Sequence, residues 1–178
     1  LRGASGLVTF LIAFGLKRSG EPLAFFGVIA VVVTVASFAG TFVSPILRRH
    51  LVNERVMLAT CGGFAMVGAI VAAVVQGRAG MLLATASLAA AASAGRNAFD
   101  SVLQREFEDR DRSRAFARAE TAMQLVWVAG ALVPTVLNFA IGVGYGVTAA
   151  LAAAAALVLV PHWRSAIRPD AGGDPPNV

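Results

Sequence analysis

Four polar side chains stand at regular spacings at the facing ends of two apolar segments. Arg96 and Asp100 are four residues apart, and so are Glu120 and Gln124. This spacing puts two side chains on one face of a helix, where opposite charges neutralise each other. A charge near the centre of a bilayer costs about 2.5–3.5 kcal/mol on insertion scales, so such residues pair with one another or mark a functional site. The sequence therefore predicts one polar cluster of these four residues.

Two roles are open for this cluster. In the first, Asp100 or Glu120 is a protonatable coupling site, or Arg96 is a gate residue. In the second, the cluster is an ionic lock that ties the inner ends of two helices together. Arg96 and Asp100 come close to the end of an apolar segment rather than its middle, which favours the lock.

The composition indicates that these residues belong to a membrane protein. The 178 residues are 57% hydrophobic and 14% charged, whereas soluble domains are about 25% charged. The net charge of +5 does not indicate nucleic acid binding, because the basic residues are not interleaved with the aromatic side chains on which bases stack.

Residues for metal, cofactor or enzyme chemistry are scarce. His50 and His162 are far apart, and neither has cysteine or carboxylate neighbours at ligand spacing. Cys61 is the one cysteine and lies in an apolar run, where we expect a buried side chain. The chain also lacks the glycine-rich motif of a nucleotide-binding P-loop. We predict no metal, no cofactor and no enzymatic activity.

Six apolar segments divide the chain, which predicts an all-α polytopic membrane protein with one six-helix bundle over residues 1–168. A span needs about 20 apolar residues. The predicted spans are 3–16, 23–47, 56–75, 81–103, 119–141 and 143–160. Charged or glycine-rich breaks separate them, including QREFEDRDRSRAFAR before the fifth span and GVGYG before the sixth. Residues 169–178 are rich in Gly, Pro and Asp, which predicts a disordered cytoplasmic tail.

The first span is short, because 14 residues cover only about 21 Å of a hydrocarbon core about 30 Å thick. It is either a secretory signal or a span whose start is missing. No small-residue cleavage site follows it. We therefore expect that a longer protein continues upstream.

The basic residues predict the orientation. With six spans both ends share a side, and that side holds eleven of the fifteen Lys and Arg residues. The opposite side holds three, which are Lys17, Arg18 and Arg78. An excess of basic residues marks the cytoplasmic side, so both ends are predicted to be cytoplasmic.

Small residues predict where the helices touch, since close backbone approach drives helix association in lipid. Ala36, Gly40 and Ser44 form one stripe, and Ala59 and Gly63 form another. The fourth segment is rich in alanine on most faces, which suits the centre of a bundle. In the fifth segment Pro134 follows Gly130 and predicts a helix kink.

The stretches DSVLQ at 100–104, RSRAFAR at 112–118 and QLVWVAGALVP at 124–134 resemble the region of helices ten and eleven in the major facilitator superfamily. The resemblance is closest to bacterial multidrug and siderophore exporter-like members. In these proteins a Gln near the end of helix ten precedes an Arg-Gly-Arg loop, a pattern that Gln104, Arg112 and Arg114 follow. Ser113 stands where the loop usually has Gly.

A second stretch is similar to the cytoplasmic loop motif G-x-x-x-D-R-x-G-R-R of the same superfamily. Gly40, Arg48 and Arg49 match the motif, whereas its Asp, first basic residue and second Gly are replaced. The replacing residues are Ser44, Pro45 and Leu47. The charge relay attributed to the intact motif is therefore not expected here.

The resemblance covers essentially the whole chain as helices seven to twelve. It implies a secondary active transporter that exports a small hydrophobic or amphipathic solute by alternating access, coupled to protons. It also implies a bacterial inner membrane location and a missing N-terminal six-helix half as partner. The superfamily predicts a distant inverted repeat, although the sequence alone shows no convincing one.

A passage lined by the mostly apolar residues near the middle of the spans would suit a hydrophobic or amphipathic solute, although contact with lipid or packing is the favoured role for any one of these residues. These are Phe14, Thr34, Phe38, Phe64, Met66 and Asn138. An alternative function remains open, namely a six-span membrane protein that does not transport and acts as an assembly or accessory domain.

Overall fold

The computed structural model describes residues 1–51, 54–106, 109–137 and 140–159. Every regular element in these ranges is an α-helix, so the all-α prediction is confirmed. The helices are α1 (Arg2–Ser19), α2 (Leu23–His50), α3 (Glu54–Val75), α4 (Gly77–Glu106), α5 (Asp109–Val136) and α6 (Ile141–Leu159).

Among the described residues, four helices are long and apolar enough to cross a membrane. They cover Leu23–His50, Arg55–Val75, Ser113–Val136 and Ile141–Val158. The helices that contain the predicted spans 3–16 and 81–103 do not reach the same apolarity. The reason lies in their composition, because α1 carries Arg2, Lys17 and Arg18, and α4 consists largely of Ala, Gly and Ser and contains Arg96. Protein, rather than lipid, covers much of these two helices.

Of the predicted connections, one is shorter in the structure and one is shifted. The charged stretch QREFEDRDRSRAFAR is largely helical, since α4 runs to Glu106 and α5 starts at Asp109. Its Arg, Glu, Gln and Ala residues are strong helix formers, which outweighs their polarity. The GVGYG stretch lies inside α6, and the break falls before Ile141. A Cβ on Gly144 would collide with the Leu11 side chain, so this glycine serves close packing rather than a turn. The predicted tail at 169–178 lies outside the described residues.

The core of the bundle comes from α1, α3, α4 and α6. Its fully buried side chains include Leu7, Leu11, Met57 and Tyr145. The outer helix α2 differs, because only Gly40 and Ser44 of its residues are buried. Most of its large apolar side chains are exposed, as expected of a surface that faces lipid.

Glycines allow the closest helix contacts. A Cβ on Gly40 would collide with the backbone carbonyl of Ala90, and one on Gly130 would collide with that of Gly3. The predicted stripe of α2 therefore does pack, against α4. In α3, a glycine that makes a close contact lies one residue away from the predicted one. Gly62 contacts α6, whereas a Cβ on Gly63 would meet no atom within 4 Å.

The helix pairing is symmetric between the first and the last three helices. Helix α1 packs mainly against α5, and α2 packs against α4 in the same way. If α1, α2 and α3 are exchanged with α4, α5 and α6, the α1–α5 pair becomes the α4–α2 pair. The α3–α4 pair becomes the α6–α1 pair, and the α3–α6 pair stays the same. The symmetry is incomplete, because α3 packs on α4 far more extensively than α6 packs on α1.

Candidate functional site

The structure brings Arg96, Asp100, Glu120 and Gln124 together between α4 and α5. Arg96 Nη2 lies 2.7 Å from Glu120 Oε2, and Arg96 Nε donates to Asp100 Oδ2 over 3.4 Å. Gln124 Nε2 donates to Glu120 Oε1 at 2.9 Å. One guanidinium thus serves two carboxylates, of which the one on the other helix is closer.

The cluster is half exposed, and one of its atoms lacks a partner. The side chains of Arg96, Asp100 and Glu120 are 38%, 30% and 39% exposed. Asp100 Oδ1 is buried without a hydrogen-bond partner among the described residues. The arrangement can tie α4 to α5.

Arg48 of the loop motif joins α2 to α4. It donates to the Asn97 carbonyl oxygen at 3.0 Å and to the Ser101 hydroxyl. The sequence could not show this contact, because the partners are 49 and 53 residues away.

The other candidate residues take different positions. Arg49, Gln104 and Arg114 are exposed, whereas the side chain of Arg112 lies outside the described residues. Pro134 is buried inside α5, which continues to Val136. The kink at this proline stays a prediction.

A concavity of about 420 Å³ with a mixed polar and apolar lining opens beside the cluster. Helices α1, α2, α4 and α5 surround it. Its polar lining residues are Arg2, Ser5, Thr9, Ser37, Thr41, Thr85, Ser93, Arg96, Asn97 and Trp127. On α1 and α2 these residues recur every three or four positions, so each of these helices contributes one polar stripe, whereas on α4 the apolar Ala89 lies between Thr85 and Ser93.

The apolar passage that the midspan residues suggested and this concavity share no residue. Phe14, Thr34, Phe38, Phe64 and Met66 all lie outside its lining, and Asn138 lies outside the described residues. The sequence analysis missed the Ser and Thr stripes. Their signal was present as hydroxyl residues four apart within apolar segments, such as Ser5 and Thr9, or Ser37 and Thr41.

A second ionic contact lies at the opposite end of the bundle. Arg78, at the start of α4, donates to both oxygens of Glu21, with Nη2 2.6 Å from Oε2. The Arg78 guanidinium carbon lies 5.4 Å from the centre of the Phe25 ring, within cation–π range. The hydrogen bonds that Arg78 donates to the Glu21 carboxylate raise the pKa of Arg78 above its ordinary value. The sequence analysis had counted Arg78 only as a loop charge.

No group of three or more His, Cys, Asp or Glu side chains that could hold a metal ion lies among the described residues. Cys61 is a free, buried cysteine.

Comparison with known proteins gives one distant likeness. An uncharacterized protein of Mycobacterium leprae (strain TN), ML2143, is 26% identical over 155 residues, which is 86% of this chain and 26% of that protein. The chain thus spans about a quarter of the length of the curated relative it matches. No family model matches the chain, and no solved structure matches it.

Proposed function

We propose that this chain is one six-helix half of a secondary active transporter of the major facilitator type. In this proposal all six helices span the membrane, including the less apolar α1 and α4, and both ends of the segment are cytoplasmic. The other half lies upstream in the same protein. A relative about four times as long as the matched segment has room for it.

The position of the concavity carries this proposal. Residues of α1, α2, α4 and α5 line it. The exchange of the first three helices with the last three replaces α1 by α4 and α2 by α5. Transporters built from inverted repeats bind their substrate at the interface of the repeats, near the midplane. A concavity with polar side chains at this place, in a bundle with an apolar outer surface, fits such a substrate site.

The transported molecule is a small hydrophobic or amphipathic solute, and the mixed lining favours the amphipathic kind. We assign the ionic cluster to the cytoplasmic ends of α4 and α5, where it holds one state of the transporter. Release of Arg96 by protonation of Asp100 or Glu120 would couple the change of state to a proton gradient.

Export of fluorescent dyes tests the proposal. Cells of a host without the protein would produce the full-length parent and be loaded with an amphipathic cationic dye or an amphipathic anionic dye. We expect export of at least one dye, sensitive to a protonophore and absent from vector controls. Asp100→Asn should reduce it at equal membrane abundance, and Asp100→Glu should retain part of it.

A non-transporting accessory domain is the second candidate. The ion pairs among the described residues lie toward the two ends of the bundle, namely Glu21–Arg78 and Arg96 with its carboxylates. A purely structural role would explain that distribution. Absence of protonophore-sensitive export for both dyes would favour this candidate.

A further inference from the structure

The wall of the concavity presents hydrogen-bond acceptors. Thr9 and Thr85 hydroxyls donate to backbone carbonyls four residues earlier in their own helices, both at 2.7 Å. Thr41 does the same at 3.0 Å. A hydroxyl has one proton to donate and two lone pairs. With the proton engaged by the helix, the oxygen offers only its lone pairs to the concavity.

The ionised side chains that line the concavity are both cationic, although Asp100 and Glu120 pair with Arg96 from outside this lining. The two cations are Arg2 and Arg96. Asp100 instead lines a separate depression together with Arg48. Arg2 Nε is buried and has no hydrogen-bond partner among the described residues. A buried donor without a partner is costly, so a ligand group that accepts from it would be favoured.

We propose that this concavity binds the anionic end of a small organic acid that also carries hydroxyl or N–H donors. The acid group lies between Arg2 and Arg96, and its donors meet the hydroxyl oxygens of Thr9, Thr41 and Thr85. This inference rests on the proposed transport function and narrows its substrate to amphipathic anions. A purely apolar solute would leave these polar groups without partners.

Labelling of an introduced cysteine tests the charge of the concavity without knowledge of the natural substrate. Ser37→Cys would be placed in the full-length protein in a background free of other cysteines, including Cys61→Ala. Purified protein in detergent would react with an anionic sulfonatoethyl, a cationic trimethylammonioethyl or a neutral benzyl methanethiosulfonate. Each rate is divided by the rate of the same reagent with a free neutral thiol.

The anionic and cationic reagents differ by two charges, and we assume a site potential near one kT per charge. We therefore expect the normalised rate of the anionic reagent to exceed that of the cationic reagent by about tenfold. Arg96→Gln should remove most of this preference, and Arg96→Lys should keep it. Arg49→Gln is the matched control, because Arg49 is exposed at the same end of the bundle but does not line the concavity. That control should leave the preference unchanged. Arg2→Gln replaces Arg96→Gln if the latter protein does not fold.

Three results would overturn the proposal. The first is an equal or faster cation rate, and the second is a preference that survives both Arg96→Gln and Arg2→Gln. The third is reaction with the benzyl reagent alone, which would show a dry, apolar site. Labelling requires no transport, so it is independent of the export assay. Export of the cationic dye alone would support transport and contradict the anionic substrate.

Discussion

Arg96 is shared between two carboxylates that differ in distance and in helix. Glu120 lies across the α4–α5 contact at 2.7 Å, and Asp100 lies one turn further along α4 at 3.4 Å. The shorter contact joins two helices, so its loss should loosen the bundle, whereas loss of the longer one affects a single helix face. Asp100 Oδ1 is buried without a hydrogen-bond partner among the described residues. The charge of Asp100 therefore contributes less to stability.

We therefore predict that Glu120→Gln lowers the stability of the full-length protein more than Asp100→Asn does. A pair at i,i+4 spacing contributes only about 0.3–0.5 kcal/mol, so Asp100→Asn should cost no more than that. The measurement is the free energy of unfolding in mixed micelles titrated with an anionic detergent. Arg114→Gln, a change of an exposed arginine, is the control. A larger loss of unfolding free energy for Asp100→Asn than for Glu120→Gln would contradict this prediction.

For single residues, the sequence predicted contacts well where the two partners are close together in the chain. The i,i+4 spacings of Arg96 with Asp100 and of Glu120 with Gln124 are visible in the chain, and the structure places each pair in contact. The contact of Arg48 with Asn97 and Ser101 depends on how α2 packs on α4, for which sequence spacing carries no information.

Backbone contacts at glycines bring α2 onto α4 and α5 onto α1. Gly40 against Ala90 and Gly130 against Gly3 are equivalent contacts in the two symmetric helix pairs. In lipid such close approach replaces the hydrophobic driving force that is absent between helices.

Gly40→Ala should destabilise the protein, because the added methyl group meets the Ala90 backbone, which cannot rotate away. Overpacking of this kind costs about 1–3 kcal/mol. Gly63→Ala is the matched control, because its Cβ would meet no atom within 4 Å, and it should leave stability unchanged or slightly higher. The midpoint of thermal aggregation in detergent would rank the two variants. Equal losses would show that the α2–α4 contact is not the cause.

Helix boundaries were predicted less well than helix existence. The charged stretch between α4 and α5 was taken as a loop because polarity was used to mark connections. Its residues have high helix propensity, however, and a helix that leaves the membrane into water needs no apolar face. The glycines of GVGYG were taken as a turn, whereas Gly144 makes room for Leu11.

Across the whole molecule, ionic contacts stand at both ends of one helix. Arg78 begins α4, and Arg96 lies eighteen residues further on, which corresponds to about 27 Å along the helix axis. Arg78 binds Glu21 in the α1–α2 connection, whereas Arg96 binds Glu120 in α5. In the transport cycle that we propose, the two contacts would hold opposite ends of the bundle closed.

We predict that Glu21→Gln favours opening at the Arg78 end. An exposed pair contributes little, so the rate at which an impermeant thiol reagent reaches Ala30→Cys should rise by roughly two- to fivefold. Ala30 lies in a cleft between α1 and α2 toward that end. The exchange of both charges, Glu21→Arg with Arg78→Glu, should restore the slower rate. A rate unaffected by either change would show that the pair does not control access.

The concavity could not be predicted from the sequence, because it depends on which helices are neighbours. Serine and threonine occur on most of the segments, and only the packing of α1 and α2 on α4 selects Ser5, Thr9, Ser37 and Thr41 for one space. The suggested passage of phenylalanines followed from their depth in the spans. Depth does not show which side of a helix faces lipid, and Phe38 and Phe64 are 61% and 56% exposed.

The Glu21–Arg78 pair has a consequence for the response to the surroundings. In the membrane-spanning arrangement that we propose, the two ends of the bundle touch separate solutions, and dissolved ions screen exposed charges over about 10 Å at 0.1 M ionic strength. The Arg78 side chain is 62% exposed, so salt in the solution at its own end weakens that contact and leaves the Arg96 cluster untouched. Salinity on one side of the membrane would then shift the conformational balance without any molecule binding.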